Sequence, residues 1–232
     1  MRRAVLTAAG GLVLVAGIAV AWNARPVELS FEPMDDPEGF RRLGGSALTV
    51  TPSMAAFAGL DDGVVLPEAD LSALHLAEGP GVPVAVFGDF ACTVCGPYEE
   101  RLAALADEDR IALTRHPLAR LTAASGTGAF AAAAAELQGE AGALDRRLYR
   151  SRFLPTDAWL SGVAAEEGLD GARLLADMRG GAAAARVGMS ESLARRFGVV
   201  GTPVTVIGRT VVIGAPSGRE LTALIEAERE AM

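Results

Sequence analysis

The sequence predicts an α/β fold, a mixed β-sheet with helices on both faces and an all-helical insertion. Three observations lead there. Val82 to Phe87 is an apolar run of strand length that passes through Gly88 and Asp89 into a helical pattern and then into a second such run, Ile111 to His116. From Thr122 to Phe197 the apolar residues, many of them Ala, recur at helical rather than alternating spacing. Past Gly198 the period changes to two, in a pair of β-rich runs split by two residues.

Taken in order, residues 1–24 read as an address outside the fold. Arg2 and Arg3 precede an uncharged stretch from Ala4 to Trp22, and positive charge followed by apolar chain marks export with the N-terminus left inside. Its 19 residues exceed the roughly 7–15 of a signal-peptide core and fall just short of the roughly 20 that span a bilayer. A cleaved signal peptide and a membrane anchor over residues 4–22 both fit: Ala19, Val20 and Ala21 offer an A-x-A cleavage site, and Trp22 suits an interface. Residues 25–80 are punctuated by Pro, Gly and Asp without a sustained period and read as an N-terminal extension lying on a domain.

That domain covers 81–232 and opens with the Val82 strand. A helix is expected from near Cys92, with Tyr98, Leu102, Leu105 and Ala106 on its apolar side and Asp107, Glu108 and Asp109 ending it in water. Pro117 stops the second strand. The insertion, about 120–198, holds helices over Ala129 to Leu137, Leu144 to Phe153, Thr156 to Glu167 and Ala172 to Met178; Asp170 caps the last and Gly198 closes the block. Val204 to Ile207 and Thr210 to Ile213, joined by Gly208 and Arg209, predict a type II′ hairpin, and Ser217 with Glu220 forms a capping box for a C-terminal helix. A parallel crossover between the first two strands and a hairpin between the last two make the sheet mixed.

The 232 residues are 50% hydrophobic and 22% charged, which suffices for a real core. A net charge of −8 has the wrong sign for a phosphate-backbone binder, so no nucleic-acid partner is expected. All 21 basic residues are Arg, which removes Schiff-base, P-loop and kinase-type lysines from the possible chemistries. Gly126, Gly128 and Ala131 imitate a dinucleotide loop, but no acidic ribose partner stands at the right place, and they read as small residues for helix packing.

The two cysteines, Cys92 and Cys95, stand three apart between the first strand and its helix. At a helix N-terminus, free backbone N–H groups and the helix dipole favour a thiolate, so Cys92 is the expected nucleophile. Cys95, a turn later, is placed to resolve a mixed disulfide formed at Cys92, and such a pair cycles two electrons without any cofactor. The plainer reading is a static disulfide, but so short a loop removes little entropy from the unfolded chain. Zinc needs four ligands, and His75 and His116 have no companion pair at finger spacing, so no metal site is expected; copper held by two soft thiolates is a further alternative.

With these residues in place, roughly Val82 to Met232 resembles the thioredoxin-fold thiol:disulfide oxidoreductases of the DsbA family. The resemblance rests on the strand leading into Asp89, Phe90, Ala91 and Cys92, on His116, Pro117 and Leu118 after the second strand, on the helical insertion, and on Gly201, Thr202 and Pro203. It implies a thioredoxin-like fold, a cis peptide bond before Pro203 facing the disulfide, and substrate binding by Thr202 and Pro203. It also implies protein thiols and disulfides as substrates, a membrane or envelope redox partner for recycling, and a place in the bacterial periplasm, soluble or tethered to the inner membrane. Well-known members carry Pro-His between the cysteines, whose histidine stabilises the thiolate; Thr93 and Val94 stand here instead, which implies a weaker oxidant. Asp89 is a candidate proton acceptor beside its plainer reading as a turn and cap residue, and His116 reads as a strand-end residue. The alternative function is a non-catalytic thioredoxin-like binding module or chaperone with a passive disulfide.

Overall fold

The computed structural model describes residues 26–44, 66–139, 142–151 and 156–232. Within them the chain runs β1 (Phe31–Pro33), β2 (Arg41–Leu43), a 3-10 turn (Leu71–Ala73), β3 (Val82–Gly88), α1 (Cys95–Asp107), β4 (Ile111–Pro117), α2 (Ala123–Glu136) and α3 (Ala143–Arg150). It continues through α4 (Asp157–Glu166), α5 (Gly171–Met178), α6 (Gly181–Arg196), β5 (Val204–Ile207), β6 (Thr210–Ile213) and α7 (Gly218–Glu230). The strands form one mixed sheet in the order β1-β2-β6-β5-β3-β4. β3 pairs parallel with β4, ending with Gly88 beside Pro117, and antiparallel with β5, whose Val204 faces Phe87. This register brings the loops after β3, after β4 and before β5 to one end of the sheet, which is where the cysteines and the Thr202–Pro203 pair lie.

Alternation in the strands divides the core. Val82, Val84 and Val86 of β3 pack with Tyr98 and Leu102 of α1 and with Leu221, Leu224 and Ile225 of α7. Ala85 and Phe87, on the opposite side, pack with Leu193, Ala194 and Phe197 at the end of α6 and with Leu74 of the N-terminal extension. Helices therefore cover both faces. The insertion has a core of its own, in which Ala131, Ala132, Ala134 and Ala135 of α2 let α3, α4 and α5 approach closely through Leu144, Leu148, Leu160 and Leu174. Phe90, two residues before Cys92, is inserted into that core.

The hairpin, the C-terminal capping box and the Asp170 cap are found at the residues the sequence names. Gly208 has φ +52 while Arg209 is not among the residues at positive φ, the pattern of a type II′ turn. A Cβ on Gly208 would collide with the Glu228 carboxylate, which accepts the Arg209 N–H at 3.1 Å and pairs with Arg41 at 2.7 Å.

Four expectations need correction or completion. The helix expected near Cys92 begins at Cys95, because residues 92–94 form turns in which the Cys95 N–H donates back to the Cys92 carbonyl at 3.2 Å. α2 starts at Ala123, six residues earlier than its apolar pattern, because Thr122 and Ser125 form a capping box ahead of turns of small residues that show no apolar face. α6, the longest helix described, has no counterpart among the helices expected in the Ala-rich block, since its first turn, Gly-Ala-Ala-Ala, carries neither cap nor amphipathic period. β1 and β2 extend the sheet from a segment read as irregular; strands of three residues are too short to show a period, and β2 is held by its pairing with β6 and by Arg41 on Glu228. The address segment and the end of the Leu144–Phe153 helix lie outside the described residues, and α3 is described to Arg150.

Candidate active site

Cys92 and Cys95 are joined in a disulfide at the start of α1. The sequence brings this about locally. Asp89 follows β3, its carbonyl accepts the Cys92 N–H at 2.9 Å, and the chain turns so that the Cys92 sulfur accepts the Cys95 N–H, the first of α1, at 3.2 Å. Pro97 falls in the first turn, where its missing N–H removes no helical bond. Cys92 is half-buried and Cys95 only 3% exposed, so the first sulfur faces outward and the second lies behind it. Thr93 and Val94 are exposed on the turn between them.

Facing the disulfide is the loop before β5. The Thr202–Pro203 peptide bond is cis, and the Thr202 carbonyl oxygen lies 3.5 Å from Cys92 Sγ. Pro203 is buried and its carbonyl accepts the Gly214 N–H at 2.8 Å, which ties the loop to the end of the hairpin.

Asp89 is fully buried behind the turn. Its carboxylate accepts from the Ala91 N–H at 2.8 Å, the Arg120 and Leu121 N–H groups at 3.0 Å each, and the Ser125 hydroxyl at 2.7 Å. Four donors satisfy the buried carboxyl oxygens and stitch the turn before Cys92 to the loop after β4 and the start of α2. This is the arrangement of the turn-and-cap reading rather than of a free proton acceptor. His116 is buried at the end of β4, stacked on Phe87 with ring centroids 4.8 Å apart. Nε2 donates to the Leu74 carbonyl at 2.9 Å, and burial, with Arg186 adding to it, pushes its pKa down to about 3. A neutral, enclosed imidazole is a packing residue, as its strand-end position suggests.

Beneath the disulfide helix lies a charged cluster that the sequence does not announce. Arg115 of β4 donates to Glu99 of α1 at 2.6 Å and stands 3.9 Å from Asp145 of α3. Burial raises the pKa of Glu99 against the pull of Arg115, and raises that of Asp145 to about 7, with Arg115 again opposing. Glu99 follows Cys95 by four residues, on the same buried side of the helix. These partners are 16 to 46 positions apart, and only the folded register of β4 against α1 and α3 joins them. Among the described residues no group of three or more His, Cys, Asp or Glu side chains is arranged to hold a metal ion.

The structure thus brings Cys92 and Thr202 together at the surface, with Cys95 enclosed behind Cys92, Pro203 buried next to Thr202, and Asp89 beneath. What the sequence reading missed is the framework, namely Phe90, Arg120, Ser125 and the Arg115 cluster. Ser125, three residues after Thr122, is the one of these with a local signal.

A mixed sheet covered on both faces, a disulfide opening its first helix and a cis-proline loop set against it define a thioredoxin-like protein with a redox-capable sulfur pair. The DSBA-like thioredoxin domain matches residues 98–226, more than half of the chain, a stretch that begins just after Cys95 and includes Thr202 and Pro203. The chain belongs to that family. Comparison with curated proteins finds no match. Among solved structures it is similar to a thioredoxin-like oxidoreductase from Silicibacter pomeroyi DSS-3, at 27% identity and a TM-score of 0.62 over 71% of this chain and 100% of that one. It is also similar to the thiol-disulfide exchange protein alpha-DsbA2 from Wolbachia pipientis, at 20% identity and TM-score 0.60 over 68% of this chain and 88% of that one. A periplasmic thioredoxin-like protein from Salmonella enterica serovar Typhimurium is 23% identical, with TM-score 0.52 over 68% of this chain and 94% of that one. The last two likenesses are of fold.

Proposed function

We propose that this chain is an exported thiol:disulfide oxidoreductase acting on protein thiols, with Cys92 as nucleophile and Cys95 as resolving cysteine. Family membership makes it a thiol:disulfide oxidoreductase by class. The observation that carries the assignment of roles is the asymmetry of the pair: Cys92 opens to the surface beside Thr202, and Cys95 is enclosed behind it.

In the oxidising direction a substrate thiolate attacks Cys92 Sγ, the Cys92–Cys95 bond breaks, and Cys95 departs as a thiolate that takes up a proton. The substrate's second thiolate then attacks its own sulfur in the mixed disulfide and expels Cys92. The substrate has lost two electrons and the cysteine pair has gained them. In the reducing direction Cys92 thiolate attacks a substrate disulfide and Cys95 displaces the product. The positive end of α1 favours the anionic form of Cys92 in either direction. Thr202, through its backbone, and Pro203 receive the substrate chain; Asp89 fixes the turn, and Thr93 and Val94 set the electronic surroundings of the sulfurs.

Residues 81–232, with the insertion over about 120–198, form the exchange unit, and 25–80 is an N-terminal extension, of which Leu43 and Leu74 pack into the core. Arg2 and Arg3 before the uncharged Ala4 to Trp22 segment, together with a periplasmic relative of the same fold, support a place in the bacterial envelope, where a membrane or envelope redox partner recycles the pair. Insulin-reduction and oxidative-refolding assays test the reading. Activity in the wild type that is absent from Cys92→Ser is expected; no activity in either direction from wild type favours a peptide-binding module with a passive disulfide.

A further inference from the structure

Two loops must keep their distance for the proposed chemistry to work: the turn carrying Cys92 and the loop carrying Thr202. They are 110 residues apart in sequence, and the β3–β5 ladder that brings them to one end of the sheet stops at Phe87 and Val204, short of both Cys92 and Thr202. Beyond the ladder, Tyr98 of α1 meets Thr205 of β5, and Arg120 reaches the loop itself. Arg120 lies in the loop after β4 whose backbone hangs on Asp89, three residues before Cys92, through the Arg120 and Leu121 N–H groups. Its guanidinium points the other way. Nε donates to Glu191 Oε2 of α6 at 2.7 Å, and Nη1 donates to the Val199 carbonyl, three residues before Thr202. Glu191 is itself held, since Oε1 accepts the Ala119 N–H at 3.0 Å. Val199 is buried, and its N–H donates to the Ala194 carbonyl at 2.8 Å, so the point that Arg120 grips is firm.

We propose that Arg120 is a positioning residue that sets the substrate-receiving loop against Cys92. It does so by bonding the Val199 carbonyl from a backbone already pinned to the disulfide turn through Asp89. The inference rests on the reading of Cys92 and Thr202 given above and adds a residue to it. A guanidinium is suited to the task because its planar fork serves a carboxylate and a carbonyl at once, each through a charge-assisted hydrogen bond. Arg120 does not touch the sulfurs, so its loss leaves the electron chemistry intact. What it changes is where the Thr202 backbone stands when a polypeptide lies across the site, and misplacement by about 1 Å can slow a positioned reaction by one to two powers of ten. Glutathione, a much shorter thiol than a polypeptide, needs access to Cys92 Sγ and depends far less on where the loop stands.

The test compares two reductants on the full oxidised chain, a dithiol peptide and glutathione, following loss of the Cys92–Cys95 disulfide. In Arg120→Ala the rate with the peptide should fall about tenfold relative to wild type while the rate with glutathione and the equilibrium potential stay unchanged. Glu191→Gln, which keeps the arginine but weakens its anchor, should show the same selective loss at about threefold and serves if Arg120→Ala fails to fold. An unchanged ratio of peptide to glutathione rates in the variant that folds, or a parallel fall in both, overturns the positioning role. A wild type that reacts with neither reductant overturns the reading of the site itself.

Discussion

At the scale of single residues, Cys92 and Cys95 have the same side chain and opposite surroundings. Cys92 sits at the edge of the surface with its sulfur accepting the first N–H of α1, and Cys95 is sealed beneath. Cys95→Ser should therefore accumulate reductant-sensitive adducts with other proteins, because Cys92 still attacks and nothing resolves the product. Cys92→Ser should accumulate far fewer on the same non-reducing gel, and equal adducts from the two variants would reverse the assignment. Two buried titratable residues give the fold a pH signature. His116 stays neutral in the fold down to about pH 3, whereas the unfolded chain takes up its proton near 6.5. Its contribution to stability is complete above about pH 6.5 and is lost as pH falls toward 3. Asp145 is the reverse case. Its pKa is raised to about 7 from 3.8, so the fold holds a proton that the unfolded chain releases, and stability falls as pH rises through that window. Asp145→Asn should match wild type near pH 4 and exceed its stability at pH 8 by on the order of 1–3 kcal/mol, read from urea midpoints.

At the scale of elements, the insertion is part of the site's support. Phe90 enters its core, Phe90 and Tyr149 of α3 pack with ring centroids 4.6 Å apart, and the α3 acid Asp145 joins the cluster under α1. The two glycines that imitate a dinucleotide loop part company here. A Cβ at Gly126 meets nothing within 4 Å, whereas one at Gly128 would come within 2.6 Å of the Phe90 ring. Gly126→Ala should raise stability by up to about 1 kcal/mol through helix propensity. Gly128→Ala should lower it by about 1–2 kcal/mol, because overpacking outweighs the same gain. Thermal melts would separate them, and equal shifts would show that Phe90 is not fixed against α2. Elements with a long period, a hairpin loop or a two-ended cap were legible in the sequence: β3, β4, β5, β6 and α7. The start of α2 and the limits of α6 were not, because runs of Ala fit every side of a helix and so show no face.

At the scale of the molecule, the motifs were legible and the framework was not. Cys92 and Cys95 are three apart and Thr202 adjoins Pro203, so each half of the site is local in sequence. Arg120 to Val199 and Arg115 to Asp145 are links that exist only once the chain is folded, and no pattern in the sequence foretells them. Location is also a property of the whole chain. A reporter active only in the cytoplasm, fused after Met232, should give no signal if the charged and apolar start exports the domain, and full signal would refute export.

The central claim is that Cys92 and Cys95 form a reversible two-electron couple, and an equilibrium titration of the full chain in glutathione buffers, read by thiol alkylation and mass, tests it most directly. Thr93 and Val94 offer no imidazole to the thiolate, which places the couple between DsbA at about −120 mV and thioredoxin at about −270 mV. A single reversible transition at roughly −150 to −240 mV is expected, and its position against the compartment's poise gives the direction of exchange. A pair that stays oxidised below about −300 mV, the range of structural disulfides, would contradict the account.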